Sequence, residues 1–390
     1  MSRLIEDYLR NLFEEKKVPE NQREQLWRYY YDKLSKGVDE GFSPQSSHYD
    51  KDLADALKLS IAEFSAFKET SFRKTIEDLL VDENGSLRSW SEFKKEAYKI
   101  SNDYNHRWLE TEYHQTVANA NMAEKWKGFE ANADLFPNLK FVSVNDNRVR
   151  PEHKALDGTI RPINDPFWNK YTPPLDWGCR CHVVQTDEEP TEIKGGLQLK
   201  IEFENNPATS GSIFGGTTYL NNLNSKERKE AEEFVLKKER ERLFNEYKKN
   251  PKYLDVELNE NGGLKATHIE HNFDKRTGTF EKHIQNLFFK RGDLFTLENE
   301  SSSIPGKKID GFINDYSHDI SVIFGNGDNT IKRALNHSRE KKAQVAVLYF
   351  NNKKDFDIEW LERGINKYNG QTDYRFKKII YIIEDKIFNY

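Results

Sequence analysis

The stretch "NLKFVSVNDNRVRPEHKALDGTIRP", residues 138–162, decides the fold, because a long helical pattern stops where it begins. Before it, apolar residues recur at helical spacing, as in "DLADALKLSIAEFSAFKETSFRKTIEDLL" (52–80). Residues 138–144 alternate between apolar and polar side chains, which indicates a strand. The rest of the stretch is rich in Pro, Gly and Asp, the residues of turns. We therefore predict an α+β fold, in which a helical N-terminal part precedes a small loop-rich α+β core.

Both cysteines of the chain follow shortly afterwards, in "PPLDWGCRC", which ends at Cys181. Two cysteines cannot build a disulfide framework. The thiolates of Cys179 and Cys181 can instead face one metal ion. With His153 and a fourth ligand, His182 or Asp157, they would form a tetrahedral zinc site that holds a loop-rich unit together.

Two other interpretations of the cysteines remain open. Cys179 and Cys181 can be small buried core residues, while Asp157, Arg150 and Arg180 form ordinary turn and ion-pair contacts. A Cys-His nucleophile is the third option, although the sequence shows no group that would orient the histidine.

The C-terminal part has a different pattern. A highly charged helix is predicted in residues 225–250, and a connector is therefore expected at 223–254. From 255 to 390, helical segments alternate with short apolar strands such as "AQVAVLYF", which ends at Phe350. Alternation of this kind predicts a separate α/β domain with a mixed sheet.

Composition limits the class of protein. Of 390 residues, 36% are hydrophobic and 13% aromatic, which is enough to build cores, and the net charge is −5. No apolar run reaches the length of a membrane span, so we expect no membrane partner. The sparse cysteines favour a reducing compartment such as the cytoplasm of a host bacterium.

The first two thirds of the chain resemble the phage Mu protein F-like minor head proteins, the phage head morphogenesis family. "YNHRWLETEY" resembles the family's long helix, "FVSVNDNRVRPEHKALDGTIRP" its pattern of Asp, Arg, His and Leu-Asp-Gly, and "DPFWNKYTPPLDWGCRCHV" its approach to Cys-Arg-Cys. "NNPATSGSIF" resembles a segment that often follows. On this resemblance we divide the front of the chain into a helical region, 1–136, and a head-morphogenesis core, 137–222.

The resemblance implies a minor capsid protein of a phage or prophage, acting in procapsid assembly or in DNA packaging and delivery. Portal, scaffold and major capsid proteins would be its partners. It would be found in the virion, inside the capsid, and in the host bacterial cytoplasm.

The C-terminal domain resembles the tRNA nuclease toxins of contact-dependent inhibition proteins, which are similar to the PD-(D/E)xK nuclease core. The residues that carry this resemblance are "HIEHNFDKRTGTFEKHIQNLFFKRGDLFTLENESSSIPGKKIDGFIND" and "HDISVIFGNGDNTIKRALNHSREKKAQVAVLYF". It implies a metal-dependent endoribonuclease, with zinc or magnesium as cofactor and tRNA or DNA as partner. The protein would then be an effector delivered by the phage particle or, as a further reading, a polymorphic toxin.

The resemblance assigns roles to individual residues. Glu281 matches the carboxylate of the first helix, Asp310 matches the Asp at a strand end, and Asp319 stands where the family has Glu. Carboxylates in this arrangement hold a divalent metal. His268 and His271 precede the first helix and are candidate acid-base groups.

One position departs from the family pattern. Ser321 stands where the family has Lys, and serine cannot supply a positive charge. Lys307, Lys308 and Lys332 are candidates for that role elsewhere in the sequence. Without such a replacement the domain is a degenerate or structural remnant, and cleavage of RNA is predicted to be weak or absent.

Overall fold

In the computed structural model, residues 2–193, 197–301, 306 and 308–390 are described. The chain divides into two compact units, with the boundary between Val235 and Leu236. The first unit is mostly helical and the second contains a large mixed sheet, which confirms the predicted α+β class.

Five long helices open the first unit. They are α1 (Ser2–Glu15), α2 (Glu20–Gly41), α3 (Lys51–Asp78), α4 (Trp90–Asn102) and α5 (Leu109–Ala131). Their apolar faces share one core that contains the fully buried Tyr30, Phe42 and Phe72. The helical periodicity of the sequence is therefore satisfied by helix-on-helix packing.

Sequence reasoning and structure differ in two details of these helices. The sequence pattern favours Ser91 as an N-cap, but α4 begins after Ser89, which forms a capping box with Glu92, and Ser91 lies inside the helix. The stretch "DYNHRWLETEYHQTVANANMAEKWKGF" predicts that the helix continues as one long helix, but a π-helical segment, Asp103–Trp108, separates α4 from α5. Inserted π-turns of this kind have no hydrophobic period of their own, and they occur often at functional sites.

The loop-rich core follows α5 and contains a three-stranded antiparallel sheet of order β2-β1-β3. Its large buried side chains include Phe141, Phe167 and Trp168. The elements are β1 (Asn138–Val142), α6 (Pro151–Lys154), β2 (Ile160–Pro162), α7 (Phe167–Tyr171), β3 (His182–Thr186) and α8 (Pro207–Ser210). Two 3-10 turns, Ile201–Phe203 and Thr218–Asn222, flank α8, and the charged helix α9 is Ser225–Lys249.

The second unit is built on an eight-stranded sheet of order β11-β10-β9-β8-β7-β6-β5-β4. Strands β8, β9 and β10 are parallel, as are β5 and β6, and the other neighbours are antiparallel. The strands are β4 (Tyr253–Leu258), β5 (Leu264–His268), β6 (Leu294–Leu297), β7 (Gly311–Ile313), β8 (Tyr316–Ile323), β9 (Val345–Phe350), β10 (Lys378–Ile383) and β11 (Lys386–Asn389). The helices are α10 (Gly278–Arg291), α11 (Asp328–Glu340) and α12 (Ile358–Asn369), with a 3-10 turn at Lys353–Asp355.

Three of these strands were not predicted. Strands β4 and β5 form an antiparallel hairpin through a turn in which Gly262 has a φ of 80°. Strand β11 pairs with β10 across a tight turn at Glu384 and Asp385, both with positive φ. Strands β4 and β11 lie at the two edges of the sheet and are largely exposed, so their hydrophobic signal is weak.

Candidate functional site

The structure brings His153, Cys179 and Cys181 together. His153 lies in the short helix α6, while the two cysteines immediately precede β3. Cys179 Sγ is 3.5 Å from His153 Nδ1, and the three side-chain donors all lie within 4.8 Å of one another. Two sulfurs bound to one tetrahedral zinc ion are about 3.8 Å apart, from Zn–S bonds of about 2.3 Å. The spacing of the donors therefore fits a zinc ion.

Ion pairs fix the loops that carry these donors. Arg180, between the two cysteines, makes a two-pronged contact with Asp146, at 2.6 and 2.9 Å. Arg150, just before α6, reaches Asp176 at 3.1 Å and donates to the carbonyl of Trp177. Asp146 and Arg150, which precede α6 in the chain, thus tie the segment that contains His153 to the loop that contains the two cysteines.

The two candidate fourth ligands have different positions. Both oxygens of Asp157 are hydrogen-bonded, to the amide N–H of Ser143 at 2.7 Å and to the side chain of Asn145 at 2.8 Å. Asp157 therefore anchors the loop after β1. His182 begins β3 with an exposed side chain and is not among the three converging donors.

The two thiols differ in acidity. Hydrogen bonds from Cys181 and His153 lower the pKa of Cys179 to about 4, against the opposing effect of burial. The neighbouring Cys179 and burial raise the pKa of Cys181 above its usual range. One thiolate is thus stabilised at neutral pH, which is the protonation state that a metal ligand requires.

In the second unit, Asp310 and Asp319 converge on one lysine. Asp319 lies on β8 and Asp310 just before β7. Lys341, the C-cap of α11, places its Nζ 2.5 Å from Asp310 Oδ1 and 2.7 Å from Asp319 Oδ1. Asp319 also accepts hydrogen bonds from Ser338 at 2.7 Å and interacts with His337 at 3.2 Å.

Glu281 joins this group indirectly. His271 Nε2 is 3.0 Å from Glu281 Oε2, and His271 Nδ1 is 3.3 Å from Glu300 Oε2. Glu300 in turn lies 3.6 Å from Lys341. The predicted carboxylates therefore belong to one continuous polar network, but only Asp310 and Asp319 share a direct partner.

Burial and charge separate the two aspartates. Burial and repulsion by Asp319 raise the pKa of Asp310 to about 7. For Asp319, His337 and Lys341 outweigh burial and lower the pKa. Hydrogen bonding to Glu281 likewise outweighs burial at His271 and raises its pKa. A carboxyl group that titrates near neutrality is suited to proton transfer.

The remaining predicted residues lie elsewhere. His268 is buried at the end of β5, edge-on to Tyr253, and accepts from the amide of Glu270. Ser321 lies two residues after Asp319 on the same face of β8. Lys307 lies outside the described residues. Within the described residues, the lysine that contacts both Asp310 and Asp319 is Lys341.

Sequence reasoning missed Lys341, Glu300, His337 and Ser338. The i, i+4 spacing of His337 and Lys341 puts both on one face at the end of α11. This spacing can be read from the sequence, so a basic helix end was predictable. What the sequence did not show was that this helix end packs against Asp319.

Residues 68–184 match the family model described as Phage Mu protein F like protein. The chain is 44% identical over 64 residues to the "Mu-like prophage FluMu F protein" of Haemophilus influenzae, covering 16% of each chain. It is 38% identical over 77 residues to the "Putative capsid assembly protein F" of Escherichia phage Mu, covering 20% of this chain and 18% of that protein. No solved structure matches the chain.

The likeness is therefore local. The matched stretches span less than a fifth of either relative, and the family model ends before α8. The matched residues include the whole His153–Cys179–Cys181 group, the end of α3 and all of α4 and α5, whereas α1 and α2 lie outside the match. The second unit lies outside the family match. No helix within the described part of the chain is long and apolar enough to cross a membrane.

Proposed function

We propose that the protein is a minor capsid, or head morphogenesis, protein of a phage or prophage, acting in procapsid assembly or DNA packaging and delivery. The observation that carries this proposal is the family match over residues 68–184. A phage relative that matches is named for capsid assembly. Portal, scaffold or major capsid proteins are the partners that such a role requires, and the virion and the host cytoplasm are the compartments.

Deletion of the gene from the phage or prophage tests this function. We expect loss of infectious particles and of DNA-filled heads, with recovery when the intact gene is supplied in trans. Mass spectrometry of purified heads should detect peptides from both compact units. DNA-filled heads in normal number without the protein would contradict the proposal.

A structural zinc ion is part of the proposal. The support is the donor set itself: two sulfurs and one imidazole, with spacing that fits zinc. Bound zinc would cross-link α6, through His153, to the loop before β3, and its ligands must be held deprotonated, which the lowered pKa of Cys179 favours.

Metal analysis of the purified full-length chain tests the zinc site. We expect close to one zinc per chain, lost in Cys179→Ser together with several degrees of thermal stability. His182→Asn is the matched variant: retained zinc would show that His182 is no ligand, while lost zinc would make it the fourth. A wild-type protein without zinc would leave the cysteines as core residues.

A second candidate function is a metal-dependent RNase in the second unit, favoured by the convergence of Asp310, Asp319 and Lys341. Lys341 supplies the positive charge that Ser321 lacks, and it comes from a helix end instead of the strand. A divalent metal, when bound, would activate water and stabilise the leaving oxygen. Asp310 and Asp319 would hold it in the place that the Lys341 ammonium occupies between them, and Lys341 would turn to face the scissile phosphate.

The full chain incubated with tRNA, and separately with plasmid DNA, tests this candidate. We expect slow cleavage of tRNA that requires zinc or magnesium and is reduced about a hundredfold or more in Lys341→Met. Lys342→Met, a substitution at the next lysine, is the control and should retain the rate. Absence of cleavage with either metal would contradict this candidate function and would indicate that Asp310, Asp319 and Lys341 form a structural ion cluster.

A further inference from the structure

A cavity of about 300 Å³ lies in the first unit, and its wall includes Trp177, which precedes Cys179 by two residues. Aromatic side chains form much of its wall, and two glutamates contribute carboxylates. The residues that line it include Trp108, Trp177, Phe64, Tyr219, Glu112 and Glu202. Aromatic faces combined with carboxylates favour a positively charged guest, because the ring quadrupole and the anion both attract a cation.

Glu202 has one carboxylate oxygen that no hydrogen-bond donor of the described residues reaches. Its side chain is 3% exposed, and its Oε1 accepts the amide N–H of Thr218 at 2.9 Å. Its Oε2 is buried and, among the residues that the structure describes, has no hydrogen-bond partner. A buried carboxylate oxygen left unpaired is costly unless a ligand satisfies it.

Glu112 differs from Glu202 because a cation neutralises it. Its Oε2 is also buried without a well-aligned hydrogen bond, but Lys68 Nζ lies 2.9 Å away, and the hydroxyl of Tyr219 donates to Oε1 at 2.5 Å. Lys68 itself is completely buried and lies over the rings of Tyr30, Tyr104 and Tyr219, at 5.3, 5.4 and 4.8 Å. One aromatic-enclosed cation is therefore already paired with a glutamate of the cavity wall, and Glu202 can receive a second.

Two tryptophans are available to receive it. Trp108 ends the π-helical segment Asp103–Trp108 and is 37% exposed, unlike most large aromatic residues of this unit. Trp177 packs edge-on against Phe203, with ring centroids 5.0 Å apart, and is thereby held in place. An unusual local backbone that presents an exposed tryptophan beside a buried, unpaired carboxylate is typical of a binding site.

We propose that this cavity binds the guanidinium group of an arginine side chain from a partner protein. A guanidinium stacks on indole faces through its flat surface, and its edge donates to the Glu202 carboxylate when that side chain turns its buried, unpaired Oε2 into the cavity. A lysine ammonium matches the charge but cannot stack in this way. The volume lies at the lower limit of ligand pockets and suits one long side chain better than a larger ligand.

Titration of the full-length protein with a capped Gly-Arg-Gly peptide, followed by the indole N–H signals in NMR, tests the proposal. We expect the signals of Trp108 and Trp177 to shift, with millimolar affinity. The same peptide with citrulline in place of arginine has nearly the same shape and no charge, and it should bind at least tenfold more weakly. The lysine peptide should fall between them.

Variants locate the binding to this cavity. Glu202→Gln keeps the acceptor for Thr218 but removes the charge, and should weaken arginine binding at least tenfold. Glu204→Gln is the control, since Glu204 is paired with Lys170 at 2.7 Å and does not line the cavity. Trp108→Leu, at a partly exposed position, should also weaken binding. No indole shift at millimolar arginine peptide, equal binding of citrulline, or unchanged affinity in Glu202→Gln would overturn the proposal.

Discussion

Lys341 is the lysine that neutralises two buried aspartates of the second unit. It reaches Asp310 and Asp319 from the end of α11, whereas Ser321 on β8, two residues after Asp319, carries no charge. Its Nζ lies among carboxylates in a largely buried setting, where an unpaired charge would be costly. The ammonium and the two aspartates therefore depend on one another.

Removal of that ammonium should destabilise the second unit. In Lys341→Met the buried carboxylates lose their shared cation, and we expect a loss of about 3 kcal/mol in the free energy of unfolding. Lys342→Met should change stability by less than about 0.5 kcal/mol. Denaturant unfolding of both full-length variants measures the difference, and equal stabilities would show that Lys341 is not needed to neutralise the pair.

Asp310 should give the protein a specific pH dependence. Its pKa is raised to about 7 from the ordinary value of 3.8 for an aspartate, so between these values the folded chain holds a proton that the unfolded chain has released. The contribution of Asp310 to the free energy of unfolding therefore falls as pH rises through this window. Asp310→Asn cannot titrate, so its stability relative to wild type should increase from pH 4 to 7, by on the order of 2 kcal/mol, and then stay constant.

Denaturant unfolding at pH steps from 4 to 8 measures this difference. Asp315→Asn, which changes an exposed carboxylate in the turn between β7 and β8, is the control and should show no such trend. A flat difference between Asp310→Asn and wild type would mean that Asp310 ionises as an ordinary surface carboxylate.

At the scale of elements, the close approach of α2 and α5 depends on glycine. A Cβ added at Gly41 would lie 2.3 Å from the carbonyl oxygen of Val117 and 2.8 Å from Ala120 Cβ. Gly37, one turn earlier, faces Thr116. Small residues one turn apart on α2 therefore allow the backbones of the two helices to approach, and they hold the helical frame on which the π-helical segment and Trp108 are carried.

Gly41→Ala should accordingly force the two helices apart. We expect a loss of about 2–3 kcal/mol in the free energy of unfolding, since the contact is with backbone and cannot relax by side-chain rotation. Gly128→Ala, in α5, is the control, because its Cβ would meet only the ring of His48, at 3.3 Å, and alanine favours the helix. Thermal unfolding of the two variants compares them, and equal losses would show that the α2–α5 approach is not limiting.

At the scale of the whole molecule, each compact unit has its own hydrophobic core. The helical unit is packed around residues such as Tyr30 and Phe72, while the two faces of the large sheet are packed around residues such as Phe288 and Leu335. Units with separate cores can unfold as separate cooperative transitions.

Calorimetry of the full chain should therefore resolve two transitions. Gly41→Ala should lower the midpoint of one, and Lys341→Met should lower the midpoint of the other, because each substitution lies in a different core. A single transition that both variants shift equally would show that the two units unfold as one.

The sequence by itself determined the classes of element and the main motifs. Helical and alternating periods are local properties, so α3, β1 and the apolar strand β9 were predictable, and the α+β class followed from them. The convergence of His153 with the two cysteines was also predictable as a hypothesis, because two cysteines one residue apart can face one metal ion and an imidazole is a common further zinc ligand. The edge strands β4 and β11 escaped because exposed strands carry little hydrophobic signal.

Only the tertiary structure decided which distant side chains meet. Lys341 reaches Asp319 because α11 packs back on the sheet, and Glu202 and Trp108 line one cavity although nearly a hundred positions separate them in the chain. Neither arrangement can be read from hydrophobic periodicity, since a polar contact between residues far apart in the chain does not depend on the sequence pattern around either residue. Local chemistry thus fixed what each segment could become, and long-range packing selected the partners of its charged and aromatic side chains.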